Sequence, residues 1–368
     1  MSGSGKLGWK ELSGSDNWKN LLEPLDSDLR RYLIHYGTMI EPAGDAFINE
    51  AVSKNVGLPR YARRNLFQNT GLVKGNPYKY EVTKYFYAPS QLSLDALGYT
   101  ITESNWIGYV AVATDEGKAA LGRRDIVIVW RGTMRPLEWI TDIIFLYVNA
   151  PLIFGQNSDP LIREEVARLV ELYKDEELSI TVTGHSLGSS MATLNAVDLA
   201  ANPININKDI PVTAFLYASP KVGDENFKKA FSNQQNLRAL RISDANDPVP
   251  KLPPFGWKEG ETEEAKVDYV DVGVGLAIES KKSNYLKPEG LNYHDLMLYL
   301  HGIDLYQTPQ GTFEREGDFD LAKVNKYQDA LKDENRIPIA WFNIKDKGMV
   351  QQDDGNYILD DHEPERAG

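Results

Sequence analysis

Short apolar segments alternate with segments of helical spacing through the middle of the chain. Residues 126–130 (IVIVW) are apolar without interruption, which is typical of a strand buried on both faces. Strand-like runs also occur at residues 179–183, 212–217, 237–242 and 269–278. Helices between such strands produce βαβ units, so the pattern predicts an α/β fold with a mainly parallel central sheet flanked by helices.

The intervening segments supply those helices. Residues 164–173 place apolar side chains at the spacing of one helical face, and residues 189–201 are rich in Ala. Near the start of the chain, residues 29–36 predict a helix with capping candidates at residues 26–28 and a stop at Gly37. The beginning of the chain therefore predicts a helical N-terminal arm.

The organisation of the chain favours a single domain. No linker rich in Pro, Gly or Ser divides it, and we find no internal repeat. Its 368 residues, 42% of them apolar, are enough for one large α/β domain with a deep core. We predict one domain over residues 1–368, with the helical arm at about 15–70 and a C-terminal tail at about 311–368 that wraps the surface.

Composition narrows the classes of function. Lys and Arg number 40 against 53 Asp and Glu, and the formal net charge of −13 disfavours non-specific binding to nucleic acid. The absence of cysteine excludes disulfides, thiolate metal sites and a Cys nucleophile. The first residues lack the apolar stretch of a signal peptide, and residues 143–154, the most apolar run, are shorter than the about 20 residues that span a bilayer. We expect a cytoplasmic protein. Whether a transit peptide was removed before residue 1 stays open.

The strongest chemical signal is the pentapeptide Gly184-His185-Ser186-Leu187-Gly188. It fits the pattern G-x-S-x-G and stands between a predicted strand and a predicted helix, which is the context of a nucleophile elbow. In such a turn the serine oxygen projects above the sheet, and the N-terminus of the following helix favours an oxyanion. The sequence therefore predicts Ser186 as a nucleophile, the alternative being a Gly/Ser turn without a chemical role.

A serine nucleophile needs a histidine base. In α/β-hydrolase sheets the acid and then the histidine follow the serine along the chain, which leaves His294, His301 and His362. His362 lies in an acidic tail typical of solvated surface. His294 and His301 share one predicted helix and lie roughly 10 Å apart along it, so only one can reach Ser186. We favour His294, at the start of that helix, because C-terminal capping is an adequate explanation of His301.

The acid is expected in the loop that follows residues 237–242. We favour Asp247, which closes this loop just before Pro248. Asp244 is its rival, and it is also well explained as a turn residue that caps its own loop. The preference for Asp247 depends on chain order and on its position in the loop.

An oxyanion needs two hydrogen-bond donors. The segment after Thr133, beside the predicted site, has two interpretations. One donor is expected to be the backbone N–H of Leu187, and the other the N–H or hydroxyl of Thr133, although an ordinary strand-end turn explains Thr133 equally well. The segment after Thr133 is either a core helix or a mobile lid over an acyl pocket. Its apolar candidates for that pocket are Trp139, Ile140, Ile143, Ile144 and Phe145.

Together these motifs resemble a known family. WRGT followed by EW and an Asp, GHSLG, NDPVPKLP and HDLMLYLHG occur in the order of the class 3 (fungal-type) lipases, and the chain more closely resembles the plant phospholipase A1 enzymes of group II. The resemblance extends over nearly the whole chain, including the start WKELSGSDNWKNLLEP. It implies the α/β-hydrolase fold. One departure is Ser189-Ser190-Met191, where lipases commonly have Gly or Ala after GHSLG.

The resemblance also implies a function. It implies a cytosolic acylhydrolase that cleaves the sn-1 acyl ester of glycerophospholipids and often acylglycerols, with transient contact to a lipid surface and no metal or organic cofactor. It further implies Ser186, Asp247 and His294 as the triad, Thr133 and Leu187 as oxyanion donors, and the stretch after WRGT as the lid. The alternatives are an acyltransferase that uses the same triad and a lipase-like scaffold that binds without turnover.

Overall fold

A seven-stranded sheet forms the centre of the protein in a computed structural model that describes residues 7–50, 52–94, 99–132, 146–147, 160–202, 210–258, 266–343 and 345–360. The strands in these ranges are β1 (Tyr80–Leu94), β2 (Tyr99–Ala113), β3 (Arg124–Trp130), β4 (Leu146–Tyr147), β5 (Leu178–His185), β6 (Val212–Tyr217), β7 (Leu237–Asp244), β8 (Phe255–Lys258), β9 (Lys266–Asp268), β10 (Val274–Ile278), β11 (Leu305–Gln307), β12 (Phe313–Arg315), β13 (Met349–Gln351) and β14 (Tyr357–Leu359). The order in the central sheet is β1-β2-β3-β5-β6-β7-β10, and the smaller sheets are β4-β8-β9, β11-β12 and β13-β14.

Helices cover both faces of this sheet. The described helices are α1 (Trp9–Leu12), α2 (Ser27–Thr38), α3 (Glu41–Asp45), α4 (Leu66–Asn69), α5 (Asp115–Leu121), α6 (Pro160–Leu172), α7 (Leu187–Ala201), α8 (Glu225–Ser232) and α9 (Leu296–Asp304). Short 3-10 helices occur at Arg63–Asn65, Val249–Lys251, Ser280–Lys282, Leu321–Asn325, Asp333–Asn335, Trp341–Asn343 and Lys345–Gly348. Among the described helices, none has the length and apolar character that crossing a bilayer requires.

The parallel part of the sheet positions the site. Strands β3, β5, β6, β7 and β10 pair in parallel, while β1 and β2 extend the sheet as an antiparallel pair next to β3. One hydrophobic core lies between the sheet and α2 and α9, and a second lies between the sheet and α6 and α7. The predicted α/β fold with a mainly parallel sheet is therefore confirmed. Because parallel strands end at the same edge, the loops that follow β3, β5 and β7 converge there.

The N-terminal arm contains the predicted helix but not its predicted end. Asp26 caps α2, its carboxylate accepting hydrogen bonds from the N–H groups of Asp28 and Leu29. The prediction that Gly37 stops the helix is wrong, because α2 continues to Thr38. A Cβ at Gly37 would lie 2.2 Å from Leu300 Cδ2, so this glycine permits close contact between α2 and α9.

Two further elements differ from the sequence pattern. The pattern predicts one strand over residues 269–278, but β10 begins only at Val274, because Gly273 before it has a φ of 73° that extended backbone does not adopt. The long antiparallel pair of β1 and β2 is not predicted by the pattern at all. The other predicted strands lie within β3, β5 and β7 or coincide with β6.

Candidate active site

Ser186 occupies the sharp turn between β5 and α7. Its backbone has φ 59° and ψ −129°, a conformation that costs a non-glycine residue free energy and persists only where its surroundings impose it. The Ser186 N–H donates to the carbonyl oxygen of Tyr217 at 3.0 Å, and the Ser186 carbonyl accepts from Ser189 N at 2.9 Å. The neighbouring strand β6 and the first turn of α7 therefore fix this turn in place.

The end of strand β3 passes directly over the same turn. A Cβ on Gly188 would lie 2.4 Å from the carbonyl oxygen of Trp130, and one on Gly132 would lie 2.6 Å from the carbonyl oxygen of His185. Both separations are too short for a methyl group, so glycine is required at each position for the two backbones to meet. Gly132 is consequently adjacent to Ser186, since a Cβ on Gly132 would also lie only 3.6 Å from the Ser186 Cβ.

The ring of His294 connects Ser186 to Asp247. His294 lies just before α9, and its Nε2 is 2.8 Å from Ser186 Oγ while its Nδ1 is 2.7 Å from Asp247 Oδ2. A carboxylate can only accept, so Nδ1 carries the proton and Nε2 is left as the acceptor for the serine hydroxyl. Ser186, His294 and Asp247 are 2%, 5% and 0% exposed, so water does not separate the three groups.

The carboxylate of Asp247 has further donors that hold its orientation. Its Oδ1 accepts from the N–H of Val249 at 2.9 Å, and its Oδ2 also accepts from the hydroxyl of Tyr299 at 2.7 Å. Burial, with the charge of Asp247 adding to it, raises the pKa of Tyr299 well above its ordinary value, so the hydroxyl stays protonated and donates. The sequence pattern did not reveal Tyr299, since no local motif marks a tyrosine whose hydroxyl donates to a residue in a distant loop.

The rival acid Asp244 and the rival base His301 form hydrogen bonds with other partners. Asp244 Oδ2 accepts from Ser280 N at 2.9 Å and from Ser280 Oγ at 2.5 Å, which fixes the loop after β7 to the loop after β10. His301 Nε2 is 2.7 Å from Ser283 Oγ, and burial lowers the pKa of His301 to about 3. The structure thus brings together Ser186, Asp247 and His294, and it does not bring Asp244 or His301 to them.

The expected oxyanion donors and lid are only partly within the described residues. Leu187 is the first residue of α7, so its N–H has no acceptor within the helix. The predictions for Thr133 and His362 lie outside the described residues. The same holds for the predicted acyl-pocket residues Trp139, Ile140, Ile143, Ile144 and Phe145.

Two residues of the motif region have roles that the sequence pattern did not reveal. Ser189 Oγ lies 2.5 Å from the carbonyl oxygen of Gly184 and 2.8 Å from that of Tyr217, so this serine fits where lipases commonly have Gly or Ala. The ring of His185 lies 4.9 Å from that of His294. Burial, and secondarily the nearby His294, lowers the pKa of His185 well below its ordinary value, which keeps the ring neutral beside His294.

In the described ranges, no group of three or more His, Asp or Glu could hold a metal ion.

Comparison with known sequences gives consistent matches. Residues 127–257 match the family described as Lipase (class 3). Phospholipase A1-II 4 of Oryza sativa subsp. japonica is 43% identical over 392 residues, which cover 98% of this chain and 96% of that protein. Phospholipase A1-IIgamma of Arabidopsis thaliana is 41% identical over 403 residues, covering 96% and 93%.

Solved structures give more distant matches. Lip2 lipase from Yarrowia lipolytica has a TM-score of 0.43 at 20% identity and covers 69% of this chain and 80% of that one. A native Rhizomucor miehei lipase propeptide complex has a TM-score of 0.41 at 19% identity, covering 66% and 72%.

Proposed function

Since the chain belongs to the plant phospholipase A1-II group of the class 3 lipase family, we propose that it is a serine acylhydrolase that cleaves the sn-1 acyl ester of glycerophospholipids. Acylglycerols carry the same ester and are the second class of substrate. The observation that carries the proposal is the continuous hydrogen-bonded path from Ser186 Oγ through His294 to Asp247. A hydroxyl, a base and an orienting carboxylate in this order are what acyl transfer to serine requires.

In the first half of the reaction Ser186 becomes acylated. Its Oγ attacks the ester carbonyl carbon, and its proton passes to His294 Nε2, 2.8 Å away. Asp247 holds the ring and stabilises the imidazolium that forms. When the tetrahedral intermediate collapses, the bond to the glycerol oxygen breaks and the imidazolium returns its proton to that oxygen.

Two hydrogen-bond donors, one of them the N–H or the hydroxyl of Thr133, hold the negative charge on the carbonyl oxygen. Leu187 N–H supplies one donor, and its place at the start of the 15-residue helix α7 adds the positive end of the helix dipole. Thr133, which follows the close contact of Gly132 with the nucleophile turn, supplies the second. Losing one such donor typically lowers kcat by about 10²–10³-fold.

In the second half a water molecule takes the place of the alcohol. His294 Nε2 accepts a proton from this water, whose oxygen attacks the acyl carbon, and the fatty acid leaves as Ser186 Oγ regains its proton. We extend the proposal to the predicted lid at Trp139, Ile140, Ile143, Ile144 and Phe145, which would cover the acyl chain and face the lipid surface when open.

The experiment uses phosphatidylcholine with different fatty acids at sn-1 and sn-2. Wild-type protein should release the sn-1 fatty acid, and Ser186→Ala should remain folded while it loses at least about 10³-fold in rate. Ser190→Ala is the matched control, since it removes a neighbouring hydroxyl and keeps the hydrogen bond from the Ser190 N–H to the Ser186 carbonyl oxygen. Ordinary turnover by Ser186→Ala would refute the assignment, and release of the sn-2 chain would refute the regiochemistry.

A second comparison separates the histidines and the alternative functions. His294→Asn should abolish labelling of Ser186 by a fluorophosphonate, whereas His301→Asn should retain it. A protein that fails to label at all would be a binding scaffold. If an added alcohol replaced water as the main acyl acceptor, the chain would be an acyltransferase.

A further inference from the structure

We propose that Arg131 binds the phosphate of the lipid headgroup in a cavity beside the reacting atoms, an inference that rests on the proposed phospholipase function. The cavity has a volume of about 370 Å³. Its wall includes Arg131, Gly132 and His294, so it extends from the nucleophile turn and the base to a guanidinium. A ligand whose ester lies at Ser186 therefore has room for its remaining part next to Arg131.

Arg131 is held in place by neutral groups. Its Nε donates to the carbonyl oxygen of Trp106 at 2.9 Å, its Nη1 donates to the carbonyl oxygen of Gly132 at 2.9 Å, and its guanidinium lies 3.8 Å from the centre of the Phe47 ring. Nη2 takes part in neither hydrogen bond. The side chain is thus oriented in advance, with donors left over for a ligand.

No carboxylate in the described part of the chain forms an ion pair with Arg131. Arg124, by contrast, pairs with Asp115 at 2.5 Å and with Glu176 at 2.8 Å. Burial alone lowers the pKa of Arg131 to about 10, so the half-buried group is still charged at neutral pH. A buried charge without a counter-ion is costly, and an anion entering the cavity would relieve that cost.

The two carboxylates on the cavity wall are already engaged elsewhere. Glu41 lies 3.0 Å from Lys323 Nζ and 2.7 Å from Lys326 Nζ, so two ammonium groups balance its charge. Asp295 accepts from the N–H of Met297 at 2.7 Å at the start of α9. Neither carboxylate forms an ion pair with Arg131 within the described residues, so Arg131 lines the cavity without an acidic partner.

Ile40, Leu296 and Met297 make part of the cavity wall apolar, and Arg131 favours a phosphate at the other part. Two phosphate oxygens match the planar fork of a guanidinium, which makes arginine suited to this group. Asn292 and Gln328 also line the cavity, and their side-chain oxygens accept from the N–H groups of His294 and Asn292. Such polar groups suit a headgroup better than a hydrocarbon chain. In a glycerophospholipid the phosphate is separated from the sn-1 ester by the glycerol alone, so both fit one site. An acylglycerol lacks the phosphate and cannot use Arg131 in this way.

The test compares Arg131→Gln with wild-type protein on phosphatidylcholine and on diacylglycerol with the same chains, both in the same mixed micelles. The ratio of kcat/KM for the phospholipid to kcat/KM for the diacylglycerol should fall roughly 10–100-fold, the usual range for loss of a charged hydrogen bond. Arg131→Lys, which keeps the charge but not the fork, should give an intermediate ratio. Arg241→Gln is the matched control, because Arg241 already pairs with Asp271 at 2.8 Å, and its ratio should equal that of wild type.

Two outcomes of this kinetic comparison would overturn the inference. An equal loss on both substrates would mean that Arg131 only supports Gly132, and an unchanged ratio would mean that it does not contact the phosphate.

A direct probe is inhibition of short-chain neutral ester hydrolysis by sn-glycero-3-phosphocholine, expected for wild type and absent in Arg131→Gln. Inhibition by inorganic phosphate but not by sn-glycero-3-phosphocholine would assign the site to free phosphate instead. Failure of wild type to hydrolyse any phospholipid, with diacylglycerol turned over, would reject the proposed function, whereas the inhibition assay tests Arg131 by itself.

Discussion

The hydroxyl of Tyr299 is expected to hold the acid of the triad. It donates to Asp247 Oδ2 at 2.7 Å and accepts from the N–H of Asp244 at 3.1 Å. Tyr299→Phe removes this one oxygen and leaves the ring in the core. The change therefore tests a single interaction rather than the filling of the core.

The size of the effect follows from the two lost bonds. A hydrogen bond to a charged group contributes about 1.5–3 kcal/mol, and the Asp244 N–H would be left buried without an acceptor at a cost of about 1–3 kcal/mol. Partial relaxation makes the sum smaller, so we expect the free energy of unfolding to fall by about 2–4 kcal/mol. Asp247 keeps Val249 and His294, so kcat should fall only about 5–30-fold, with KM unchanged.

Urea unfolding gives the free energy, and turnover of a soluble ester gives kcat and KM. Tyr306→Phe is the matched control: its hydroxyl makes only an exposed contact of 3.3 Å with Glu314, and its removal should cost no more than about 0.5 kcal/mol. If Tyr299→Phe unfolded at the same urea concentration as wild type and kept its kcat, the hydroxyl would not orient Asp247 and the reasoning would be wrong.

Three other predictions concern charge and pH. Burial raises the pKa of Asp295 to about 6, so wild type should lose stability as pH rises from about 4 to 6. Asp295→Asn, which keeps the helix cap, should not show this loss, and at pH 8 urea melts should show it more stable than wild type by up to about 3 kcal/mol. Lys326→Met leaves the buried Asp45 of α3 without an ammonium partner and leaves Glu41 with that of Lys323. It should cost about 3–5 kcal/mol in urea melts, against less than about 1 kcal/mol for the exposed Lys10→Met. Burial lowers the pKa of His35 and of His301 to about 3, so the unfolded state binds protons at these residues before the folded state does as pH falls below 6.5. The free energy of unfolding should therefore fall by about 1.4 kcal/mol per pH unit for each histidine. An unchanged free energy of unfolding between pH 6 and pH 5 would contradict this.

Local signals in the sequence were sufficient for the parallel strands and for the order of the triad. An uninterrupted apolar run such as residues 212–217 can be satisfied only by burial on both faces, and β6 has these bounds. GHSLG identifies the nucleophile turn by its own residue types, and the chain order then restricts the histidines. The structure places His294 rather than His301 beside Ser186, which agrees with the reach argument, while the catalytic roles stay predictions.

Interactions between distant segments were not predictable in this way. Gly37 has the residue type of a helix end, but contact with Leu300 of α9 decides its role. Lys326 meets Glu41 and Asp45 only because the two ends of the chain pack together. Tyr299 likewise serves a loop 52 residues earlier in the chain. The cytoplasmic location and the single domain over residues 1–368 also stay predictions.

The contact of the β3 end with the nucleophile turn also bears on how specificity can change. Main-chain contacts at Gly132 and Gly188 set the location of the Ser186 backbone, so exchange of side chains elsewhere in the cavity wall should not move it. New substrate preferences must then arise in the walls of the cavity, which Asn292 and Gln328 line. Selection experiments for a different headgroup should therefore accumulate substitutions around the reaction centre while its backbone stays constant.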